Sequence, residues 1–144
     1  MLKDLIAFFQ APGAPLRKTD QPLALAALMV RIARADDDFA PAERAAILAQ
    51  LRRRHTLTED DAAALLADAA VAEAEAPDTV RFTRMLKATV PYEDRAELME
   101  ALWRIVLADG TRDAHENALM RQLAPLLGVS DMDNGLARQR AEAA

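Results

Sequence analysis

Apolar residues recur along this chain at spacings of three and four, the period of an α-helix, and β-branched runs are nearly absent. The first such stripe is Leu2, Leu5, Ile6 and Phe9, closed by Ala11-Pro12-Gly13-Ala14-Pro15, where proline cannot continue a helix and glycine turns cheaply. Residues 1–10 therefore read as a short amphipathic helix docked back onto the core, with a linker to residue 19. A membrane-surface anchor would need more basic charge than Lys3 set against Asp4. A second helix opens near Asp20 or Gln21, with Pro22 in its first turn, and runs to about Ala35. Leu25, Leu28, Met29 and Ile32 form its stripe, and Ala26, Ala27, Val30 and Ala33 make it apolar nearly all round, as expected at the centre of a bundle.

Further helices follow from their starts. Pro41 suits a first helical position, and the helix it opens ends at Arg52-Arg53-Arg54. Thr58 is a capping hydroxyl ahead of Glu59-Asp60-Asp61, acids that suit the positive end of a helix reaching Glu75. Pro77 breaks the chain. A helix over Asp78–Thr89 turns Val80, Phe82, Met85 and Leu86 inward, and Pro91 starts another that reaches Ala108 with Leu98, Leu102, Trp103 and Ile105 in its core face. Ala114–Leu127 ends at Gly128, a natural left-handed terminator, and Ser130, the only serine, caps a last helix to about Ala141.

The chain also resembles itself. Shifted by 73 positions, Leu25 falls on Leu98, Arg31 on Arg104, Ile32 on Ile105, Ala35 on Ala108, Asp36 on Asp109, Glu43 on Glu116 and Ala45 on Ala118. With one residue of slippage, Leu57-Thr58 falls on Val129-Ser130. A unit of buried helix, acidic loop, amphipathic helix, turn and capped helix thus occurs twice, over about residues 21–75 and 92–142. These features predict an all-α single domain over residues 20–144: a bundle of about seven to eight helices with an internal pseudo-twofold repeat, its two apolar helices (residues 21–35 and 92–108) packed together.

Composition narrows the chemistry. The 144 residues are 52% hydrophobic with only 4 glycines, enough for one helical core. With no cysteine, disulfides, thiolate catalysis and cysteine-bearing zinc sites are excluded, and two histidines are too few for a histidine cage. The net charge of −5 disfavours nucleic acid, and no basic patch is interleaved with aromatics. No apolar run approaches the roughly 18 residues of a membrane span, and residues 1–10 lack the pattern of a secretory leader. A cytoplasmic location is the expectation. No nucleophile–base pair, glycine-rich phosphate loop or His-Glu metal motif is present.

The remaining candidates are the acids of the two loops. Asp36, Asp38 and Glu43 in the first copy, and Asp109, Asp113 and Glu116 in the second, are hard oxygen donors of the kind Ca²⁺, Mg²⁺ or Mn²⁺ takes. The loops are not EF-hands, lacking the alternating ligands and the bidentate glutamate at the twelfth position. A structural role is equally open: acids near a helix start cap it and favour its dipole, and Arg31 and Arg104 are available to pair with them. Arg52-Arg53-Arg54-His55 reads as favourable charge at a helix C-terminus, Arg81, Arg84 and Lys87 as a solvated ridge, and His115 as surface.

Arg-x-x-x-Ala-Asp followed seven positions later by Glu occurs twice, and the run from Leu98 to Gly110, Leu-Met-Glu-Ala-Leu-Trp-Arg-Ile-Val-Leu-Ala-Asp-Gly, resembles the TerB family of tellurite-resistance proteins, as does Phe82-Thr83-Arg84-Met85-Leu86 between the copies. The likeness covers about residues 20–142. It implies a non-enzymatic stress-response interaction domain, working through protein partners at membrane-associated complexes without inserting into the bilayer, with a divalent cation at the acidic loops. The family loop reads Ala-Asp-Gly, two residues, Asp, two residues, Glu. The second copy matches in full, whereas the first carries Asp37 for the Gly and Ala40 for the later Asp. Two alternatives stay open: a metal-dependent hydrolase using ions between both loops, against which Ala40 counts, and a metal-free structural module whose acids only cap helices.

Overall fold

The computed structural model describes residues 21–34, 41–76, 79–108 and 114–143, with the backbone alone at 114–116. Among the described residues the protein is all-α, with seven helices and no strand. They are α1 (Gln21–Ala33), α2 (Pro41–His55), α3 (Glu59–Glu75), α4 (Val80–Thr89), α5 (Tyr92–Val106), α6 (Ala114–Leu126) and α7 (Asp131–Ala143). The expected helix over residues 1–10 lies outside the described residues.

α1 is the hub. Nine of its thirteen residues are buried, from Ala24 to Ala33, and it touches α2, α3, α4, α5 and α6. Small alanines are interspersed with Leu25, Leu28, Met29 and Ile32, so helices pack against it on several sides. Its widest interface is with α3, and the widest interface of α5 is with α7, so the first helix of each repeated unit packs on the third. α1 also contacts α5. However, α5 is less apolar than expected. Burial begins at Leu98, while Tyr92 is 57% exposed, because Tyr92-Glu93-Asp94-Arg95 carries the polar start of the helix away from the core. Val80 likewise proves 37% exposed rather than inward, since it occupies the first position of α4 at the rim of the bundle.

α2 and α3 each bury a single stripe. In α2 it is Glu43, Ile47 and Leu51, at i, i+4 and i+8. In α3 it is Ala62, Leu66, Ala69 and Glu73. A glutamate therefore occupies an inward position in each helix: Glu43 is 1% exposed and Glu73 8%.

The repeat is clearest in the caps. α2 ends with Thr56 at φ 53°, and the Leu57 amide donates to the Arg52 carbonyl at 3.3 Å. α6 ends with Gly128 at φ 73°, and the Val129 amide donates to the Ala124 carbonyl at 2.8 Å. Both are six-to-one closures around a left-handed residue, which satisfy the orphan carbonyls of a helix end. Two residues further on, the Thr58 hydroxyl accepts from the Asp61 amide and the Ser130 hydroxyl from the Asp133 amide, each at 3.1 Å. The same stop-and-start signal thus recurs 72 positions later, as the pairing of Thr58 with Ser130 predicts.

Candidate functional site

Of the six acids singled out in the loops, Asp36, Asp38, Asp109 and Asp113 lie outside the described residues, as does the side chain of Glu116, whose backbone opens α6. Glu43 is described. It sits in the first turn of α2, on the buried stripe with Ile47 and Leu51. Desolvating a carboxylate costs several kcal/mol, and the positive end of the helix offsets part of that. No cluster of three or more His, Asp or Glu that could hold a metal occurs among the described residues.

The arginines expected to serve the loops have other described partners. Arg31 Nε donates to Glu73 Oε1 at 3.0 Å, and its Nη2 donates to the carbonyls of Glu73 and Ala76, both at 3.1 Å. Arg34 Nη1 takes the other carboxylate oxygen of Glu73 at 2.9 Å. Arg31 also lies over the Phe82 ring, 5.8 Å from its centroid. One glutamate therefore ties the C-terminal end of α1, where the first acidic loop departs, to the last turn of α3. Reading the sequence alone misses Glu73, though its place on the stripe Ala62, Leu66, Ala69 marks it as inward. Arg104, the counterpart of Arg31, pairs within its own helix with Glu100 at 2.9 Å, and Arg140 of α7 takes the other oxygen at 3.3 Å. Hydrogen bonds from Arg104 and Arg140 hold the Glu100 carboxyl below its ordinary range, against the opposing pull of burial. Trp103 is core, as expected, at 3% exposure. Its indole N–H donates to Asn134 Oδ1 at 2.9 Å, and Arg138 stacks 5.3 Å from its ring centroid.

A polar cleft of about 530 Å³ opens where the C-terminal turns of α2 meet the outer face of α5. Gln50, Arg53, Arg54 and His55 line it from α2; Asp94, Glu97, Glu100, Ala101 and Arg104 line it from α5. Gln21 and Thr89, at the start of α1 and the end of α4, also border it, joined by a 3.0 Å hydrogen bond from the Gln21 amide to Thr89 Oγ1. His55 Nε2 is shielded from solvent and has no hydrogen-bond partner among the described residues. Burial, aided by the Arg54 charge, pushes the His55 pKa down from its ordinary 6.5. Arg52, Arg53 and Arg54 do serve the helix C-terminus as expected. What sequence reading misses is the cleft that two of them border, because its other wall lies on α5.

Among the described residues the architecture is an all-α helical domain in which α1 packs on α3 and α5 on α7, with α4 between the two sets in the chain. The family model described as "Tellurite resistance protein TerB" matches residues 22–139, and the chain belongs to that family. No curated protein and no solved structure matches it.

Proposed function

We propose that this protein is a non-enzymatic interaction domain of the tellurite-resistance type, which binds a divalent cation at its acidic loops and presents a rigid helical surface to a protein partner. The observation that carries the cation half is the burial of Glu43. A carboxylate at 1% exposure in the first turn of α2, on the same stripe as Ile47 and Leu51, is an oxygen donor of the kind a hard cation takes, held at the point where the first acidic loop enters the helix. Its counterpart one repeat later is Glu116, beside Asp109 and Asp113. Family membership supports the stress-response setting. The net charge of −5 supports a partner other than nucleic acid. No described helix is long and apolar enough to cross a membrane, in keeping with a cytoplasmic domain that meets membrane complexes through their proteins.

Calorimetric titration with Ca²⁺, Mg²⁺ and Mn²⁺ tests the cation half. Binding of at least one ion is expected, weakened about tenfold or more by Asp109→Ala or Glu116→Ala, and accompanied by a rise in melting temperature that chelator removes. Flat titrations with all three ions would leave a module whose acids serve only its helices.

A further inference from the structure

We propose that the cleft between α2 and α5 is a peptide-binding site for a short segment of the partner protein that carries acidic and basic side chains next to one another. The inference rests on the partner half of the reading above and is independent of the cation half.

The cleft separates opposite charges that no contact among the described residues joins. Arg53 and Arg54 stand on the α2 side, Asp94 and Glu97 on the α5 side, and none of the four has an ion pair among the described residues. Three of them are exposed and Arg54 is half-buried. Glu100 and Arg104, deeper along α5, neutralise one another with help from Arg140, so their charges are already used. The dipoles of the two helices account for the arginines at the end of α2 and for Asp94 in the first turn of α5, but not for Glu97, one turn further along the same wall.

This arrangement selects the occupant by charge. A simple anion drawn to Arg53 and Arg54 meets Asp94 and Glu97, and a simple cation meets the reverse, so each is opposed by one wall. A ligand with both signs satisfies both walls and brings its charges into a concave, partly desolvated space where they count for more than on open surface. The volume of about 530 Å³ falls within the range of small-ligand pockets and admits a few residues of extended peptide. Gln50 offers an amide that both donates and accepts, the combination a peptide backbone needs. Ala101, small and buried, leaves depth midway along the α5 wall. The border formed by Gln21 and Thr89 is held by their mutual hydrogen bond and by the Thr89 hydroxyl donating to the Met85 carbonyl at 2.8 Å. The cleft is thus pre-organised rather than dependent on folding around its ligand.

The test uses the full chain in low salt with chelator present. The probe is the end-blocked tetrapeptide Glu-Lys-Glu-Lys, with all-Glu and all-Lys tetrapeptides as controls, followed by amide chemical shifts. The mixed peptide should shift the amides of Gln50, Thr89 and Ala101 and bind about tenfold or more tightly than either control. Arg53→Glu/Arg54→Glu and Asp94→Lys/Glu97→Lys, at positions on the cleft rim, should each remove that preference while leaving the helical circular-dichroism spectrum intact. Absence of shifts at the cleft up to about 10 mM peptide, equal binding of a single-sign control, or binding indifferent to both double variants would overturn the proposal. Because chelator is present throughout, each of these failures leaves the cation reading standing, and a flat cation titration leaves this one standing.

Discussion

Replacing Thr56 by glycine should stabilise the protein, although it deletes a side chain. Thr56 is a β-branched residue held at φ 53° as the left-handed terminator of α2. That conformation costs an L-residue about 1–2 kcal/mol, and glycine adopts it without penalty. Glycine returns about 0.5–1 kcal/mol through the greater freedom of the unfolded chain, so a net gain of about 0.5–1 kcal/mol is expected. The reciprocal change, Gly128→Ala, should be worse than its small size suggests. At φ 73° the new Cβ also meets Arg95 Nη1 at 2.8 Å and Lys87 Cε at 3.4 Å. Arg95 cannot move freely, since its Nε donates to the Val90 carbonyl at 3.1 Å and its Nη2 to the Lys87 carbonyl at 2.9 Å, together closing the end of α4. Weakening those bonds adds about 0.5–1.5 kcal/mol, for a total near 2 kcal/mol. Urea denaturation followed by circular dichroism reads both changes as shifts of midpoint at constant slope. For a chain of this size each kcal/mol moves the melting temperature by about 3 °C. Thr56→Gly at or below wild type, or Gly128→Ala without loss, would refute the claim that the two residues are equivalent left-handed terminators.

The other stability predictions concern charge. Glu73→Gln keeps the shape but removes the carboxylate shared by Arg31 and Arg34, and should cost about 2–3 kcal/mol in denaturant titration; Arg31→Ala should cost no less, because it also strips the Glu73 and Ala76 carbonyls of a donor. His55 gives a pH signature. Its folded pKa lies below 6.5, so below that pH the unfolded chain binds the proton more readily. Stability should therefore be complete above pH 6.5 and fall as pH drops from there towards the folded value. Melting curves of wild type and His55→Gln between pH 7.5 and 5.5 should show a smaller loss in the variant. Equal losses would mean that the ring does not titrate out of step with the unfolded chain.

Local signals were the legible part of this fold. A capping hydroxyl, a proline or a left-handed terminator acts within a few residues, so Pro41, Thr58, Gly128 and Ser130 mark helix ends where the structure has them. The buried helix α1 was legible because it is apolar on every face. What sequence reading could not supply was the partner of a charge. Arg31 finds Glu73 42 positions away, across an interface whose register depends on how α1 and α3 pack. The glutamates on the inward stripes were the available signal, for Glu43 follows the spacing of Ile47 and Leu51, and Glu73 that of Leu66 and Ala69. The cleft was beyond reach because α1, α2, α4 and α5 all contribute to it.

The two copies have diverged in charge while agreeing in how their second helix ends and their third begins. The six-to-one helix closures and the hydroxyl caps that follow them recur 72 positions apart, since the chain must stop one helix and start the next in both units. The arginines at equivalent positions do not share a role. Arg31 anchors α1 to the end of α3, whereas Arg104 stays with Glu100 on its own helix, and α7 is joined to α5 instead through Arg140 and through Trp103 with Asn134. Arg34, which shares Glu73 with Arg31, has Leu107 as its counterpart. The loops differ in the same sense, with Asp37 and Ala40 in the first where the second has Gly110 and Asp113. A cation bound by this protein should therefore meet two unequal sites. The second loop offers a glycine free to turn and one more carboxylate in the expected place, so calorimetry should resolve one dominant site that Asp113→Ala abolishes and Asp38→Ala spares. Two sites of equal affinity would mean that these substitutions are immaterial to binding and that the cation is held by what the copies still share.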